Sequence, residues 1–306
     1  MKVYVINENP DWYPPVAEAF DAAGIPHEMW LLAEEIIDLD ADPPPGVFWS
    51  RMSASSHTRG HPHAKDQTRG VLSWLEQNGR RVVNGRRVLE LEMSKVEQHA
   101  ALRAAGFDVP RTIAIAGTRQ LGAAARRLPA PFISKHNQGG KGLGVRLFGS
   151  HDEFDAYVAS PDFEYPVDGI TLLQEYLVAA EPRITRAEFV DGEFIYAISA
   201  DTALGGFQLC PADACAVGEN PPSLFELRVG FDHPILRRYL RFAAQHGIEI
   251  AGFEFIETAD GRLVTYDINT TTNYNAGIEA AAPRAAQRAV ATFLGRLLDD
   301  ECRKVA

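Results

Sequence analysis

Apolar runs alternate with helical patterns along the first ninety residues of the chain. The apolar runs predict strands at 2–6, 27–32, 47–49 and 81–83. Helical patterns lie between them at 14–23, where Gly24 ends the pattern, and at 66–78. A proline-rich stretch, 43–46, forms a rigid turn before the third strand. This order predicts an alternating α/β unit over residues 1–90.

Helices and paired strands are predicted over the rest of the chain. A helix begins after Ser94, where Glu97 completes a capping box, and ends at Gly106. The turn Asp191-Gly192 joins two strands, and residues 201–223 are rich in Gly, Pro and small side chains, which predicts an irregular insertion. Further strands are predicted at 131–135, 145–148, 171–173, 184–190 and 193–199, and further helices at 151–159, 234–246 and 283–298.

A hairpin near the C-terminal end carries the most specific polar pattern. Apolar residues alternate with polar ones from Phe253 to Thr265, around an Asp260-Gly261 turn. Asp267 and Asn269 are two residues apart and share a face, and Glu254 reaches them from the partner strand. Three such oxygen ligands suit Mg²⁺. An edge hairpin with solvated acids is the alternative.

Two lysines and a glycine-rich segment indicate an anion site. Lys95 lies in the first turn of its helix, where the helix dipole disfavours a cation unless an anion binds there. Lys135 ends a strand and precedes the segment 136–144, which has four glycines in six residues. The backbone N–H groups of such a mobile loop can converge on phosphate oxygens. A solvated surface lysine and a hairpin tip without function are the alternatives.

The overall composition limits the classes of function. The chain has 306 residues, 46% of them hydrophobic, which is enough for two or three packed subdomains. A formal net charge of −11 argues against nucleic acid or an anionic membrane surface as the main partner. Cys210, Cys215 and Cys302 have neither disulfide nor zinc spacing. With no signal peptide and no membrane-spanning run, a reducing cytoplasm is expected.

The order of these motifs resembles the ATP-grasp superfamily, and within it RimK-type ligases and, more distantly, D-alanine–D-alanine ligases. Lys95 and Lys135 are similar to the family lysines that contact phosphate, and residues 139–144 look like the lid. Arg186 resembles the arginine that faces the transferring phosphoryl group. The resemblance implies nucleotide or metal contacts at Lys95, Lys135, Gly139, Gly140, Lys141, Gly142, Gln174, Glu175, Tyr176, Leu177, Glu181, Glu254, Asp267 and Asn269.

The resemblance also implies a fold and a reaction. The fold would be α/β (α+β): an N-terminal Rossmann-like domain (1–90), a central subdomain with the glycine-rich lid (91–170), and a C-terminal catalytic subdomain (171–306), with nucleotide between the last two. The reaction would be ATP-dependent joining of a carboxylate to an amine through an acyl phosphate. ATP and Mg²⁺ would be required, the Mg²⁺ as two ions with Mn²⁺ as a substitute. The resemblance leaves open whether the chain forms a homo-oligomer.

Two departures from the family pattern concern the phosphate contacts. The family usually has an aspartate before a glutamate, whereas Glu254 comes before Asp267 in this chain. An arginine that the family often carries is missing at Ala200 and at Gly252, so Arg183 is expected to join Arg186 and Lys135 in catalysis. A small-molecule kinase and a nucleotide-binding module without turnover remain the alternative functions.

The non-nucleotide substrate is expected between two loops. Residues 50–63 follow a predicted strand end, where ligand loops occur, and residues 273–275 follow the metal hairpin. Arg51 and Arg59 are the candidates for binding a carboxylate, and His57 for orienting the acceptor. The alternatives are a solvated loop packed on its own serines, a structural hydrogen bond for His57, and a metal site from histidines 57, 61 and 63. The substrate residues expected are Arg51, Ser53, Ser55, His57, Arg59, Asn273, Tyr274 and Asn275.

Overall fold

The computed structural model describes residues 1–32, 36–140, 142, 144–205 and 224–305, and their strands form three sheets. Lys141, Cys210, Cys215 and most of the expected insertion lie outside the described residues. The described strands are β1 (Lys2–Asn7), β2 (His27–Leu31), β3 (Gly46–Ser50), β4 (Arg81–Val83), β5 (Thr112–Ala116), β6 (Phe132–His136), β7 (Arg146–Phe148), β8 (Ile170–Glu175), β9 (Arg183–Val190), β10 (Glu193–Asp201), β11 (Phe225–Leu227), β12 (Ile250–Glu257) and β13 (Leu263–Asn269).

Helices cover the sheets and connect them. The described helices are α1 (Pro14–Ala22), α2 (Ala64–Gln77), α3 (Arg86–Met93), α4 (Lys95–Ala104), α5 (Leu121–Ala125), α6 (His151–Ala159), α7 (Thr202–Gly205), α8 (Pro234–His246), α9 (Ala276–Ala281) and α10 (Ala286–Val305). None of the helices in these residues is long and apolar enough to cross a bilayer.

The N-terminal sheet is parallel throughout, with strand order β2-β1-β3-β4. Its central strands are almost wholly apolar and buried, as parallel strands covered on both faces must be. The predicted α/β alternation of the first ninety residues is confirmed. The sequence prediction missed α3, which follows β4 directly and leads into α4.

The middle sheet is antiparallel, with strand order β5-β8-β6-β7. Phe132, Phe148 and Phe154 pack edge to face or offset on one side of it, together with α5 and α6. The strand β8 pairs with β5 and β6, so it lies in this sheet, whereas the division at residue 171 had placed it in the last subdomain.

The third sheet has strand order β11-β10-β9-β12-β13 and is also antiparallel. Helix α8 covers one face with the apolar positions predicted from its helical period. Tyr239 of this helix stacks on Phe253 of β12, with ring centroids 4.5 Å apart. This packing places α8 on β12, which pairs with β9 on one side and with β13 on the other.

Helix α10 returns to the N-terminal sheet and packs between it and β9. Its start is fixed by Glu279, whose carboxylate accepts hydrogen bonds from the backbone N–H groups of Ala286 (2.9 Å) and Gln287 (2.8 Å). The sequence predicts this helix at residues 283–298, whereas in the structure it begins at Ala286 and ends at Val305. The predicted start is three residues too early because the capping contact of Glu279 gives no periodic signal. The last helix therefore joins the N-terminal sheet to the third sheet.

Asn84, just after β4, joins the N-terminal sheet to the third sheet. It is buried and has a positive φ of 52°. Its side-chain Nδ2 donates to the carbonyl oxygens of Ile250 (2.7 Å) and Thr270 (3.2 Å), and its Oδ1 accepts from the backbone N–H groups of Glu249 (3.0 Å) and Ile250 (3.3 Å). Both amide atoms are thus used to hold β12 and the segment after β13 in place.

We expect Asn84→Ala to lower the free energy of unfolding by about 2 to 4 kcal/mol, because buried backbone groups lose their partners and alanine is strained at this φ. Urea denaturation would measure the change. Asn78→Ala, which removes an exposed hydrogen bond at the end of α2, is the matched control and should change stability by about 0.5 kcal/mol or less. Equal losses in the two variants would contradict the role assigned to Asn84.

Candidate functional site

A cavity of about 610 Å³ lies between the middle and third sheets, and the N-terminal domain closes one end of it. Its walls come from β6, β8, β9, β12, β13 and the segments that follow β6 and β8. The structure brings these predicted site residues together in its lining: Ser53, Ser55, Lys95, Lys135, Gly139, Gly140, Gly142, Gln174, Tyr176, Leu177, Arg183, Arg186, Glu254, Asp267, Asn269 and Asn273.

The acidic end of the cavity is built by strand register. Glu254 of β12 lies directly opposite Asp267 of β13, and Asn269 lies two residues farther along the same face. The Nδ2 atom of Asn269 donates to Glu254 Oε1 over 3.0 Å, and Tyr266 Oη donates to Glu254 Oε2 over 2.8 Å. The hairpin therefore holds two carboxylates and an amide side by side.

Two cations neutralise these carboxylates from opposite sides. Lys95, at the start of α4, donates its ammonium group to Asp267, and Arg186 of β9 donates Nη1 to Glu254 Oε1 over 3.2 Å. Burial alone would lower the pKa of Lys95, but the attraction of Asp267 and Glu92 outweighs it, so the net pKa is raised. Burial raises the pKa of Glu254 despite the nearby Arg186. The end of the cavity is a compact group of paired charges.

Lys135 stands beside this group with a lower pKa. It is buried at the end of β6, and burial lowers the pKa of its ammonium to about 8, with repulsion from Lys95 adding to the effect and attraction to Asp267 opposing it. An anion that entered the cavity would favour the charged form. A desolvated lysine of this kind is suited to phosphate binding.

The donor set fits a hard divalent cation. Two carboxylates and one amide oxygen at one end of a cavity, with Glu254 buried and the other two half-buried, are the oxygen ligands that Mg²⁺ takes. No cluster of three or more His, Cys, Asp or Glu side chains that could hold a metal occurs in the described residues, and the present set combines two such side chains with an asparagine. Histidines 57, 61 and 63 therefore do not form the alternative metal site, and His61 Nδ1 lies 3.0 Å from Glu8 Oε2.

The opposite end of the cavity is an apolar slot. Ile133, Leu147, Ile184 and Ile256 line it from four strands. Gln174 is buried beside them, and its Oε1 atom has no hydrogen-bond partner in the described structure. A planar heteroaromatic ring could fill the slot and supply the missing donor.

Two of the expected nucleotide contacts lie outside the main cavity. Glu175 does not line the cavity, and its Oε1 atom accepts a hydrogen bond from the backbone N–H of Arg111 over 2.8 Å. Glu181 is largely exposed, pairs with Arg183 over 3.1 Å, and lines a small pocket next to the slot. Arg183 lines both pockets, so the Glu181–Arg183 pair stands at the rim of the slot.

The arginines of the loop that follows β3 bind protein oxygens rather than facing the cavity. Arg51 is fully buried, and its guanidinium donates to Trp12 O (3.0 Å), Thr272 O (2.9 Å) and Asn273 Oδ1 (2.8 Å). Burial lowers its pKa to about 10. Arg59 pairs with the buried carboxylate of Glu8 and stacks on the Trp12 ring at 4.6 Å. The sequence prediction gave both arginines to a substrate carboxylate, whereas in the structure they shape the loop.

The other expected substrate residues divide into two groups. Ser53, Ser55 and Asn273 line the cavity, and Ser53 Oγ lies 2.9 Å from Ser55 Oγ. Asn275 instead caps α9 by accepting from the Ile278 N–H over 3.1 Å. His57 and Tyr274 are absent from the lining. Burial lowers the pKa of His57 and raises that of Tyr274.

Sequence reasoning missed several residues at the site. Trp12 and Glu92 line the cavity, and Glu92 Oε2 accepts from the backbone N–H and the hydroxyl of Thr270 over 2.8 Å each. Glu188 lies beside Arg186. Glu92 reaches its partner Thr270 across 178 residues of the chain, so no local signal marks it.

Solved structures of one class match this architecture along almost the whole chain. A RimK-domain ATP-grasp protein from Sphaerobacter thermophilus has 16% identity over 96% of this chain and 99% of its own, with a TM-score of 0.70. The ATP-grasp ligase PsnB, solved with a minimal precursor, has 17% identity over 96% and 98%, with a TM-score of 0.66. The D-cycloserine synthetase DcsG has 16% identity over 97% and 100%, with a TM-score of 0.65.

The likeness is one of fold rather than of sequence. No family model matches this sequence, and no curated protein matches it either. The three structures each cover 96% or 97% of this chain. The chain therefore has the ATP-grasp fold, and the resemblance drawn from its ordered motifs is confirmed at that level.

The pKa of Lys135 predicts that ATP binding weakens as the pH rises. The ammonium group is charged below its pKa of about 8 and loses its proton above it. We expect ATP, used as a polyphosphate probe, to bind the protein about tenfold more weakly at about pH 9 than at about pH 7, because most Lys135 side chains are then neutral. Calorimetry would measure both affinities. Lys135→Arg, which stays charged over this range, is the control and should show a much smaller change. An equal pH dependence in both proteins would contradict phosphate binding by Lys135.

Proposed function

We propose that the protein is an ATP-dependent ligase that joins a carboxylate to an amine and releases ADP and phosphate. The observation that carries this proposal is one buried cavity with an apolar slot at one end and paired charges at the other. The slot suits a nucleotide base, and the charged end suits its phosphates. The ligases among the structural neighbours support the same reaction class.

The nucleotide would lie along the cavity from the slot to the charged end. Gln174 and the backbone near Tyr176 and Leu177 would pair with the base, and the Glu181–Arg183 pair at the rim would face the ribose. Lys135 and the backbone of Gly139, Gly140 and Gly142 would contact the phosphates. Lys141 completes this proposal as a further phosphate contact.

Glu254, Asp267 and Asn269 would hold Mg²⁺. When bound, Mg²⁺ supplies positive charge to phosphate oxygens and so favours transfer of the γ-phosphoryl group. Around it, Lys95 orients Asp267 and Arg186 orients Glu254 through their ion pairs. The Lys95 and Arg186 side chains would also lie next to the phosphates and balance the negative charge that develops there.

The first chemical step would place the γ-phosphoryl group on a substrate carboxylate, giving an acyl phosphate. The amine would then attack the acyl carbon, and phosphate would leave. Burial of Lys95, Lys135 and Arg186 shows that this end is shielded from bulk water, which protects an acyl phosphate from hydrolysis. The attacking amine can release its proton late, to the departing phosphate or to solvent.

The acid and the amine would enter beside the N-terminal domain. Trp12, Ser53, Ser55, Thr271 and Asn273 line that end of the cavity with one aromatic ring, hydroxyls and an amide. These groups suit the polar backbone of an amino acid or a peptide. The precursor that is bound in the PsnB structure supports peptides as one substrate class to test.

The direct test is a screen of acids, amino acids and dipeptides for phosphate release. A ligase releases ADP and phosphate together, and only when an acid and an amine are both present. A kinase would form ADP without free phosphate, and a nucleotide-binding module would form neither. A phosphorylated alcohol as the product, or binding without turnover across the screen, would contradict the proposed function.

Removing an oxygen ligand should abolish turnover, compared per mole of folded protein as judged by circular dichroism. We expect Asp267→Asn and Asn269→Ala each to lower kcat by about 100-fold or more, because the phosphoryl transfer loses charge stabilisation worth several kcal/mol. Asp260→Asn, in the exposed turn of the same hairpin, is the control and should keep wild-type kcat. Steady-state kinetics at saturating Mg²⁺ would measure this. Wild-type turnover in either ligand variant would rule out the metal assignment.

A further inference from the structure

The guanidinium group of Arg186 is held by three different partners. Nε donates to Glu188 Oε1 over 2.6 Å, Nη1 to Glu254 Oε1 over 3.2 Å, and Nη2 to Thr272 Oγ1 over 3.1 Å. Arg186 and Glu188 lie two residues apart on β9 and so share the face that meets the cavity. Both side chains are buried. Each of the three nitrogens has an acceptor, so the plane of the guanidinium has little freedom to turn.

Gly252 leaves the space that this guanidinium occupies. In the sheet, Gly252 lies between Glu188 of β9 and Asn269 of β13. A Cβ atom at this position would lie 2.5 Å from Arg186 Nε, 2.9 Å from Glu188 Oε2 and 3.0 Å from Arg186 Cζ. The backbone of Gly252 is not in the left-handed region, so the glycine serves close approach rather than an unusual φ.

A purely structural explanation accounts poorly for this arrangement. A glycine inside a central strand weakens the sheet, and a buried arginine–glutamate pair often contributes less stability than apolar residues of the same size. Gly252 lies two residues from Glu254 on β12, and the Arg186–Glu188 pair lies on the neighbouring strand β9. Both features are on the face that meets the cavity. Together they fix the direction in which Nη1 points.

We propose that Glu188 is a positioning residue for Arg186, and that it acts together with Gly252. Glu188 binds Nε and holds the guanidinium flat over the gap at Gly252, so that Nη1 reaches Glu254 at the phosphoryl-transfer end. Neither residue lines the cavity. The inference deepens the proposed function and rests on it for its kinetic consequences, whereas the geometry of Arg186 can be measured without any substrate.

Three variants separate placement of Arg186 from general stability. Glu188→Gln keeps a hydrogen-bond acceptor of the same shape, Glu188→Leu removes it, and Gly252→Ala fills the gap. The controls are Glu193→Gln, an exposed glutamate at the start of β10, and Gly70→Ala, where a Cβ meets nothing within 4 Å. All are compared per mole of folded protein, as judged by circular dichroism.

The first readout is the NMR signal of the Arg186 Nε–H group, assigned by its loss in Arg186→Lys. We expect a signal protected from solvent exchange in the wild type, in Glu188→Gln and in both controls. It should shift and lose its protection in Glu188→Leu and Gly252→Ala. An unchanged signal in both of these variants would overturn the proposal, whether or not the protein is a ligase.

The second readout is the division between kcat and KM. We expect kcat to fall by about 100-fold in Glu188→Leu and Gly252→Ala, because a displacement of about 1 Å at a reacting group has that effect. The KM for ATP should stay within about twofold, and Glu188→Gln should recover most of the lost kcat. Full kcat in folded Glu188→Leu and Gly252→Ala would overturn the positioning role. If the NMR signals behave as expected but no acid and amine are joined by the wild type, the proposed function fails and the placement of Arg186 stands.

Discussion

The rest of the structure depends on the pairing of four charges at the end of the cleft, three of them buried and the fourth, Asp267, half-buried. Lys95 with Asp267 and Arg186 with Glu254 come from three separate segments of the chain. A single buried charge without its partner would be strongly unfavourable, by several kcal/mol. The fold must therefore bring α4, β9 and the β12–β13 hairpin to one point, and the contacts around the cleft serve this need.

Helix α4 is the element that joins the two sheets at this point. Asn137, just after β6, accepts from the Val96 N–H (2.9 Å) and the Ser94 hydroxyl (3.2 Å), which fixes the helix start to the middle sheet. One turn later, the Nε2 atom of Gln98 donates to Ile268 O (2.9 Å), and its Oε1 accepts from the Ile268 N–H (3.0 Å), which fixes the same helix to β13. Lys95 lies among these attachments, which together place its ammonium group on Asp267.

The fold was largely readable from the sequence because its signals are local. Apolar runs, helical periods and turn residues predicted most strands and the helices α1, α2, α4, α6 and α8, and the order of motifs predicted the ATP-grasp fold. The 13-residue and two-residue spacings of Glu254, Asp267 and Asn269 follow from one hairpin, so sequence alone could place them together. Short elements such as α5, α9 and β11 have too few residues to show a period, and were missed.

The remaining part of the site could not be predicted because it depends on distant contacts. Arg51 has the residue type of a carboxylate binder, but its partners lie 39, 221 and 222 residues away, and they turn it into a buried support for the loop. In the sequence, the absence of an arginine at Gly252 indicated a missing phosphate contact. In the structure that position is the space over which Arg186 lies. When a side chain of one strand fills the space left by a glycine of the next strand, neither segment alone predicts the contact.

The central claim is that this cleft activates a carboxylate by phosphorylation and then transfers the acyl group to an amine. The most direct test uses an acid labelled with oxygen-18 in its carboxylate, with the substrate pair that supports phosphate release. The account predicts that one labelled oxygen appears in inorganic phosphate for every amide formed. Phosphate without label, or label in AMP, would contradict it.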